Sequence, residues 1–356
     1  MRRPVTAAAL TAVVVGLAGA TMAEAQSALL NLPDVSQHAR VSQRIGITDI
    51  SIDYHRPLAR GRKIFGGLQA YGKVWRAGAD FNTIIEFTDP VTVEGQPLAK
   101  GAYGLHLIPG PTSWVVIFSK NSTSWGSFTY DQAEDALRVT VKPETIAATE
   151  ALGYEFDHPT PTSVVVTMKW ETVAVPFTVG VDTPSIVAAS LRKQMRGLVQ
   201  TEWEAWEQAA NYLLENKLDA EEAAKYADSS IAIEDRFENE ITKARALRAL
   251  GRTEEARATE NKALTMASQQ QAHSFARNLQ GVGQQDQALA IFRINIRKDP
   301  NSWIAHSEQS RLAVAAGDFD TAVKEAKLAV AIGPEAVKGQ LADFVRQLEN
   351  KVDINK

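Results

Sequence analysis

The sequence predicts a multidomain chain: an all-β antiparallel sandwich followed by an all-α array of helical pairs. Three observations carry this reading. At 356 residues the chain exceeds what one hydrophobic core ordinarily fills. Up to about residue 182, apolar side chains recur with a period of two in short runs separated by turn residues. From residue 185 the period lengthens to three or four, and Ala, Glu, Gln, Leu and Arg dominate.

The first 25 residues have the layout of an export signal. Arg2 and Arg3 precede an apolar run from Ala7 to Ala20, and Ala23-Glu24-Ala25 offers a small-x-small cleavage site. The mature chain is expected to begin at Gln26 and to be periplasmic or secreted. The apolar run is too short, and too diluted by Gly and Thr, to span a bilayer; no later stretch reaches that length, so no membrane span is expected after cleavage. Pro-Val-Thr after the two arginines departs from a twin-arginine signal and leaves general secretion. The chain has no cysteine, which removes disulfides, thiolate catalysis and Cys-based metal sites. A formal charge of −4 with intermixed signs argues against a nucleic-acid partner, which needs a concentrated basic face.

The β-domain is expected over residues 33–182. Ile47 to Tyr54 alternates apolar and polar residues, which directs Ile50, Ile52 and Tyr54 inward and Ser51, Asp53 and His55 outward. Further strands are expected at 82–88, 102–108, 113–120, 136–142, 151–156, 163–170 and 173–181. Turn signals lie between them at Val93–Pro97, Pro109-Gly110-Pro111 and His158–Pro161. Trp114 to Phe118 is apolar on both faces and should be covered on each side. Many short strands with no helical pattern between them argue a sandwich.

Several spaced blocks in this region carry a family resemblance. They are Val41–Gly46, Asp53–Pro57, Gly61–Leu68, Tyr71–Ala79, Val93–Gly95, Lys100–Leu105, Trp125-Gly126 and Asp135–Val141. Together they resemble an uncharacterised secreted bacterial family, domain of unknown function family 2911. The resemblance covers nearly all of the β-domain and implies an exported protein without supplying an activity. The family usually has Asn after Ala-Gly-Ala, where this chain has Asp80. The carboxylate loses donors and adds charge at that place.

Residues 185–356 form the helical domain. Gly251 opens a block with Ala256 and Ala263, Gly283 one with Ala288 and Pro300, and Gly317 one with Ala322, Ala329 and Pro334. The recurrence is close to the 34-residue spacing of tetratricopeptide repeats. Glycine ends the first helix of a pair, alanines let the second approach closely, and proline starts the next unit. A degenerate earlier copy lies on Leu218, Ala223, Ala227 and Asp235, and Asn295 stands where a small residue is expected. Three to four helical pairs follow from this register. Upstream, Leu191 to Leu214 reads as one long helix with Trp203 and Trp206 on one face, packed against the sandwich or the first repeat and joining the domains.

Chemistry is harder to find. The histidines at 38, 55, 106, 158, 273 and 306 contain no pair at the spacing of a zinc-binding helix. Asp53 and His55 read better as a solvated strand face, and His106 as a histidine packed near a glycine, than as ligands, so no metal or cofactor is expected. There is no Gly-x-Ser-x-Gly elbow, Gly61-Arg62-Lys63 lacks the spacing of a phosphate loop, and Glu134-Asp135 reads as a turn. The remaining surface is Gly61–Phe87, dense in Gly, Arg, Lys and Trp. Arg56, Arg60, Arg62 and Lys63 would form an electropositive rim. Trp75, Arg76, Trp125 and Tyr130 would stack on, or fork to, a carboxylate or sugar, with Asp80 and His106 completing the set. Against this, such basic residues are usually solvated, and Trp75 would equally fill the open end of the sandwich. The expected function is binding: the helices engage a protein or peptide partner and the sandwich presents an anionic or saccharide ligand surface. The competing reading is an envelope-polymer hydrolase acting through Trp75, Arg76 and Asp80, and a third is a scaffold without a small-molecule site.

Overall fold

The computed structural model describes residues 33–355; the segment expected to be an export signal lies outside them. The chain divides between Val181 and Asp182 into two units.

The first unit is built from β1 (Gln37–Ile45), β2 (Thr48–Arg56), β3 (Ile84–Phe87), β4 (Val91–Val93), β5 (Gln96–Leu98), β6 (Gly101–Ile108), β7 (Trp114–Ser119), β8 (Asp135–Val141), β9 (Glu144–Asp157) and β10 (Ser163–Gly180). They form a six-stranded sheet, order β1-β2-β3-β6-β7-β8, and a four-stranded sheet, order β5-β4-β10-β9. Every pairing is antiparallel. Ile50, Ile52 and Tyr54 are buried as the alternation demands, and β7 is covered on both faces.

Four expectations need correction. Strand β1 has no apolar alternation strong enough to announce it; it is an edge strand whose polar side chains stay largely exposed while its backbone pairs with β2. The Val93–Pro97 turn shrinks to Glu94-Gly95, both at positive φ, and its flanks pair as β4 and β5. The runs at 163–170 and 173–181 are one strand, with register shifts around Glu171, itself at φ 56°. Ser51 and His55 were expected to face water but are buried: the rings of Phe81 and His38 pack against the His55 imidazole at 5.7 and 5.3 Å, and the Arg40 guanidinium reaches over to donate to Ser51 Oγ at 3.0 Å.

The second unit contains α1 (Thr183–Gln194), α2 (Trp203–Glu215), α3 (Ala220–Ile233), α4 (Phe237–Ala249), α5 (Thr253–Met266), α6 (Gln269–Gly281), α7 (Gln285–Asn295), α8 (Trp303–Ala315), α9 (Phe319–Ile332) and α10 (Glu335–Glu349). The expected long helix over 191–214 is broken. Gly197 and Glu202 take extended backbone, and a single 3-10 turn lies between α1 and α2. Trp206 packs within this unit, edge-on to Tyr226 at 5.3 Å with its Nε1 donating to Gln200, and the Arg236 guanidinium lies over the Trp203 ring.

Helices α2 to α9 form four pairs with one repeated turn. Lys217, Gly251, Gly283 and Gly317 have φ of 52°, 76°, 80° and 79°. At each, that residue's N–H bonds the carbonyl three back, and the next N–H bonds the carbonyl five back. This left-handed stop satisfies the orphan carbonyls of the first helix. The same turn recurs at Lys351 after α10, with φ 56°. Ala223, Ala227, Ala256, Ala263, Ala288, Ala322 and Ala329 are all fully buried, which is where the close helix approach requires them. Asn295, in the place of Ala263 and Ala329, is also buried; its amide donates to the Gln269 carbonyl at 2.8 Å and to Glu308 Oε1 at 2.7 Å. Among the described residues no helix is long and apolar enough to cross a membrane.

Lys217 is exposed and carries the left-handed strain that glycine avoids at the other three turns. Lys217→Gly is therefore expected to raise unfolding free energy by about 1 kcal/mol, read from the urea midpoint, and Gly251→Ala to lower it by a similar amount.

Candidate functional site

The polar cluster of the sandwich grows from the segment that follows Trp75. Trp75 itself is core: its backbone pairs with Leu107, its ring stacks on Trp170 at 5.7 Å, and its Nε1 donates to the Gly78 carbonyl. Ala77 and Asp80 then take positive φ, a strained conformation for residues with a Cβ. Two contacts hold that strain. The buried Tyr154 hydroxyl donates to the Ala77 carbonyl at 2.7 Å, and Gly78 leaves no room for a Cβ, which would lie 2.5 Å from Thr83 Oγ1.

The loop between β7 and β8 lies over this segment. Asn82 binds it twice, backbone N–H to the Ser124 carbonyl and Nδ2 to the Asn121 carbonyl, each at 3.2 Å. Arg76 reaches it at Trp125, with its guanidinium 5.4 Å from the ring centroid. Burial pushes the Arg76 pKa down, and the Asp80 charge pulls it back. Trp125 and Phe128 stack on each other at 5.6 Å and 14°, yet they are 54% and 79% exposed, an aromatic plate facing solvent.

His106, on β6, forms the floor. It is 2% exposed, its Nδ1 lies 3.1 Å from Ser127 Oγ, and its ring meets Tyr130 edge-on at 5.3 Å. Burial pushes its pKa down to about 4. The Tyr130 hydroxyl donates to Asp135 Oδ2 at 2.7 Å and accepts from Arg138. Burial and then Asp135 push the tyrosine up to about 12, and burial raises the Asp135 carboxyl despite Tyr130 and Arg138. Gly104 sits beneath Asn82 and His106: a Cβ there would lie 2.5 Å from Asn82 Nδ2 and 3.3 Å from His106 Nε2. Around this point Asp80 Oδ2, Asn82 Oδ1 and Thr83 Oγ1 are buried without a partner in the protein.

The structure thus links Arg76 with Asp80 and Trp125, and His106 with Tyr130. Arg56 and Arg62 belong elsewhere. Arg56 donates to the Leu152 carbonyl, and Arg62 to those of Ala59 and Leu58, while the Arg60 backbone N–H bonds Glu150. These bonds fold the 57–62 loop and pin it to β9; Lys63 lies exposed beside it. Of the four residues expected to form a rim, Arg56 and Arg62 spend guanidinium donors on backbone carbonyls, whereas Arg60 and Lys63 are exposed. Asp53 pairs with His38 at 2.7 Å, and no group of three or more metal-ligating side chains occurs among the described residues. Sequence reasoning missed Asn82, Ser127, Phe128, Asp135 and Arg138. The available signal was the polar-aromatic run from Asn121 to Tyr130, which has no strand or helix period. Burial of His106 favours its neutral imidazole, which pairs with Ser127 through Nδ1. A larger cavity, about 590 Å³ between β8, β9 and β10, shares no residue with this cluster, and the Lys169 that lines it is tied to Glu155 and Asp157.

In the helical unit two cavities adjoin on the face made by the first helices of the pairs. One, about 340 Å³, lies between α2, α4 and α6 and is walled by Phe237, Ile241 and Phe275. The other, about 320 Å³, lies between α6, α8 and α10. Gln270, Ser274 and Asn278 line both.

Residues 36–179 match the model of a family described as protein of unknown function DUF2911. The match spans the sandwich and its polar cluster. Comparison with curated proteins finds no match. Among solved structures, a similar chain is described as "Crystal structure of YrrB: a TPR protein with an unusual peptide-binding site", 16% identical, TM-score 0.28, covering 45% of this chain and 83% of that one.

His106 supplies a pH test. Its folded pKa of about 4 lies below the ordinary 6.5, so as pH falls between those values the unfolded chain takes up a proton that the folded chain refuses. The stability His106 contributes is complete above pH 6.5 and declines toward pH 4. Between pH 7.5 and 4.5 the loss is expected to be about 2 to 3 kcal/mol, and His106→Asn should remove that part of the slope in urea titrations.

Proposed function

We propose that this is an exported binding protein with two recognition surfaces: the helical array engages a protein or peptide, and the sandwich holds a saccharide. The observation that carries the first is the pair of adjoining cavities on α2, α4, α6, α8 and α10, which together offer a continuous stretch of lining wide enough for an extended segment. Their shared residues, Ser274 and Asn278, are exposed, so the surface needs no rearrangement to be reached.

For the sandwich, the choice between an anion and a sugar turns on the unpartnered atoms. Asp80 Oδ2 and Asn82 Oδ1 are acceptors, and Asp80 already offsets the Arg76 charge. A ligand that donates hydrogen bonds suits them better than one that only accepts. Stacking on Trp125 and Phe128 with hydroxyl donors directed at the polar cluster is how a sugar would meet both features. Export places such a protein among envelope glycans and peptides. The hydrolase alternative around Trp75, Arg76 and Asp80 gains no support, since Trp75 is committed to the core.

Two measurements on the full mature chain test this. Ser274→Trp, which fills both cavities from an exposed position, is expected to cut retention of an immobilised octapeptide library at least tenfold with an unchanged urea midpoint. Equal retention by the variant would remove the helical face from consideration. Trp125→Ala combined with Phe128→Ala should abolish binding on an array of bacterial and plant oligosaccharides while stability moves by less than about 0.5 kcal/mol. An array that stays blank for the unaltered protein would rule out the saccharide.

A further inference from the structure

The cavity between α6, α8 and α10 differs in kind from its neighbour. Trp303, Leu341 and Phe344 wall it, and its charged groups are the guanidiniums of Arg277 and Arg311; no Asp or Glu lines it. Arg311 is 1% exposed, with its guanidinium 5.0 Å from the Phe344 ring centroid. It donates to the Ile354 carbonyl, and its Nε has no partner. Arg277, part-buried, donates to the Gln280 side chain. Neither arginine forms an ion pair with a carboxylate among the described residues, whereas Arg192, Arg248 and Arg252 each do.

The buried carboxylate Glu308 compensates incompletely. Glu308 is fully buried, and its Oε1 is taken by His273 at 3.0 Å and by Asn295 at 2.7 Å. Its Oε2 is left without a partner, and it makes no ion pair with Arg311. Burial first and then the Arg277 charge lower the Arg311 pKa, against Asp353 and Glu308, to about 9; burial also lowers Arg277. Two like charges sharing a partly desolvated cavity are costly unless an anion joins them. A carboxylate answers that need, since it accepts from a guanidinium fork and its carbon stem suits the aromatic walls.

We propose that this cavity receives a carboxylate of the bound peptide between Arg277 and Arg311, with an apolar side chain of the same peptide entering the Phe237/Ile241/Phe275 cavity. This assignment rests on the helical face being a peptide site. A carboxylate can come from an Asp or Glu side chain or from a chain end, and about 320 Å³ accommodates either.

The test uses the full mature chain and four octapeptide pools, with free or amidated ends, each with or without Asp and Glu at the varied positions. Pools carrying a carboxylate are expected to be retained at least tenfold more than the amidated, acid-free pool, and the preference should weaken as salt rises. Comparing the two single-source pools tells side chain from chain end. Arg277→Gln should erase the preference, and Arg277→Lys should keep part of it. Because Arg277 is part-buried, a second variant guards against misfolding: Gln340→Glu, at an exposed position lining the cavity, supplies an internal carboxylate and should erase the preference as well. Equal retention of all four pools, or a preference that survives both Arg277→Gln and Gln340→Glu, overturns the carboxylate assignment while leaving a peptide site in place. Failure to retain any pool removes the peptide site itself.

Discussion

The sandwich depends on one aromatic contact set between its sheets. Phe65 meets Trp75, Trp114 and Trp170 edge-on at 5.8, 4.6 and 6.0 Å, and Trp75 stacks on Trp170. Trp114 comes from the six-stranded sheet and Trp170 from the four-stranded one, so the loop residues Phe65 and Trp75 are wedged where the two sheets face each other. Rings of this size bury about 150–250 Å² each, and edge-to-face contacts add to the burial. A loop anchored in this way behaves as part of the core. That is why the next residues can hold Ala77 and Asp80 at positive φ: the cost of about 1–2 kcal/mol at each is borne by a segment that cannot relax without withdrawing Trp75.

That division of labour explains what was legible in the sequence. The period of two located most strands of the sandwich, since each buries one face; the period of three to four, with the glycine register, located the paired helices. Strand β1 was not legible because an edge strand is specified by backbone pairing, which leaves no apolar pattern. The break at Gly197 had a local signal, glycine followed by the weak helix formers Val199 and Thr201, but an apolar period that continues on both sides masked it. Arg76, Asp80, Trp125 and His106 were legible as unusual residues, but not their grouping. Their neighbours Asn82, Ser127 and Asp135 come from two loops and a strand start that only the folded sheet order brings together. Arg56, at the end of β2, and Arg62, in the loop after it, misled because a basic residue looks the same in sequence whether its guanidinium meets solvent or a backbone carbonyl.

In the helical unit the repeat is a constraint on backbone rather than on residue type. Lys217 and Lys351 make the same left-handed turn as three glycines, and Asn295 fills a place that alanine takes in two neighbouring pairs. Each departure has a compensation or a cost that can be identified. The lysines carry strain at exposed positions, and Asn295 draws Glu308 and His273 into a buried polar group. Without that polar substitution, Glu308 would lose one of the two donors on its Oε1, and a buried carboxylate is tolerated only when it is hydrogen-bonded.

Each unit leaves polar groups unsatisfied beside aromatic surface. In the sandwich cluster these are Asp80 Oδ2 and Asn82 Oδ1, with the exposed Trp125 and Phe128 nearby; at the helical cavity it is Arg311 Nε, with the half-buried Trp303 and Phe344. Each unpartnered buried group costs about 1–3 kcal/mol, and folding alone does not require that cost at several neighbouring positions. Selection for stability alone would favour apolar or paired residues there. Such clustering beside aromatic surface is the feature on which the proposed recognition sites rest. The same criterion separates these places from Arg62 or Lys169, whose charges are already engaged within the fold.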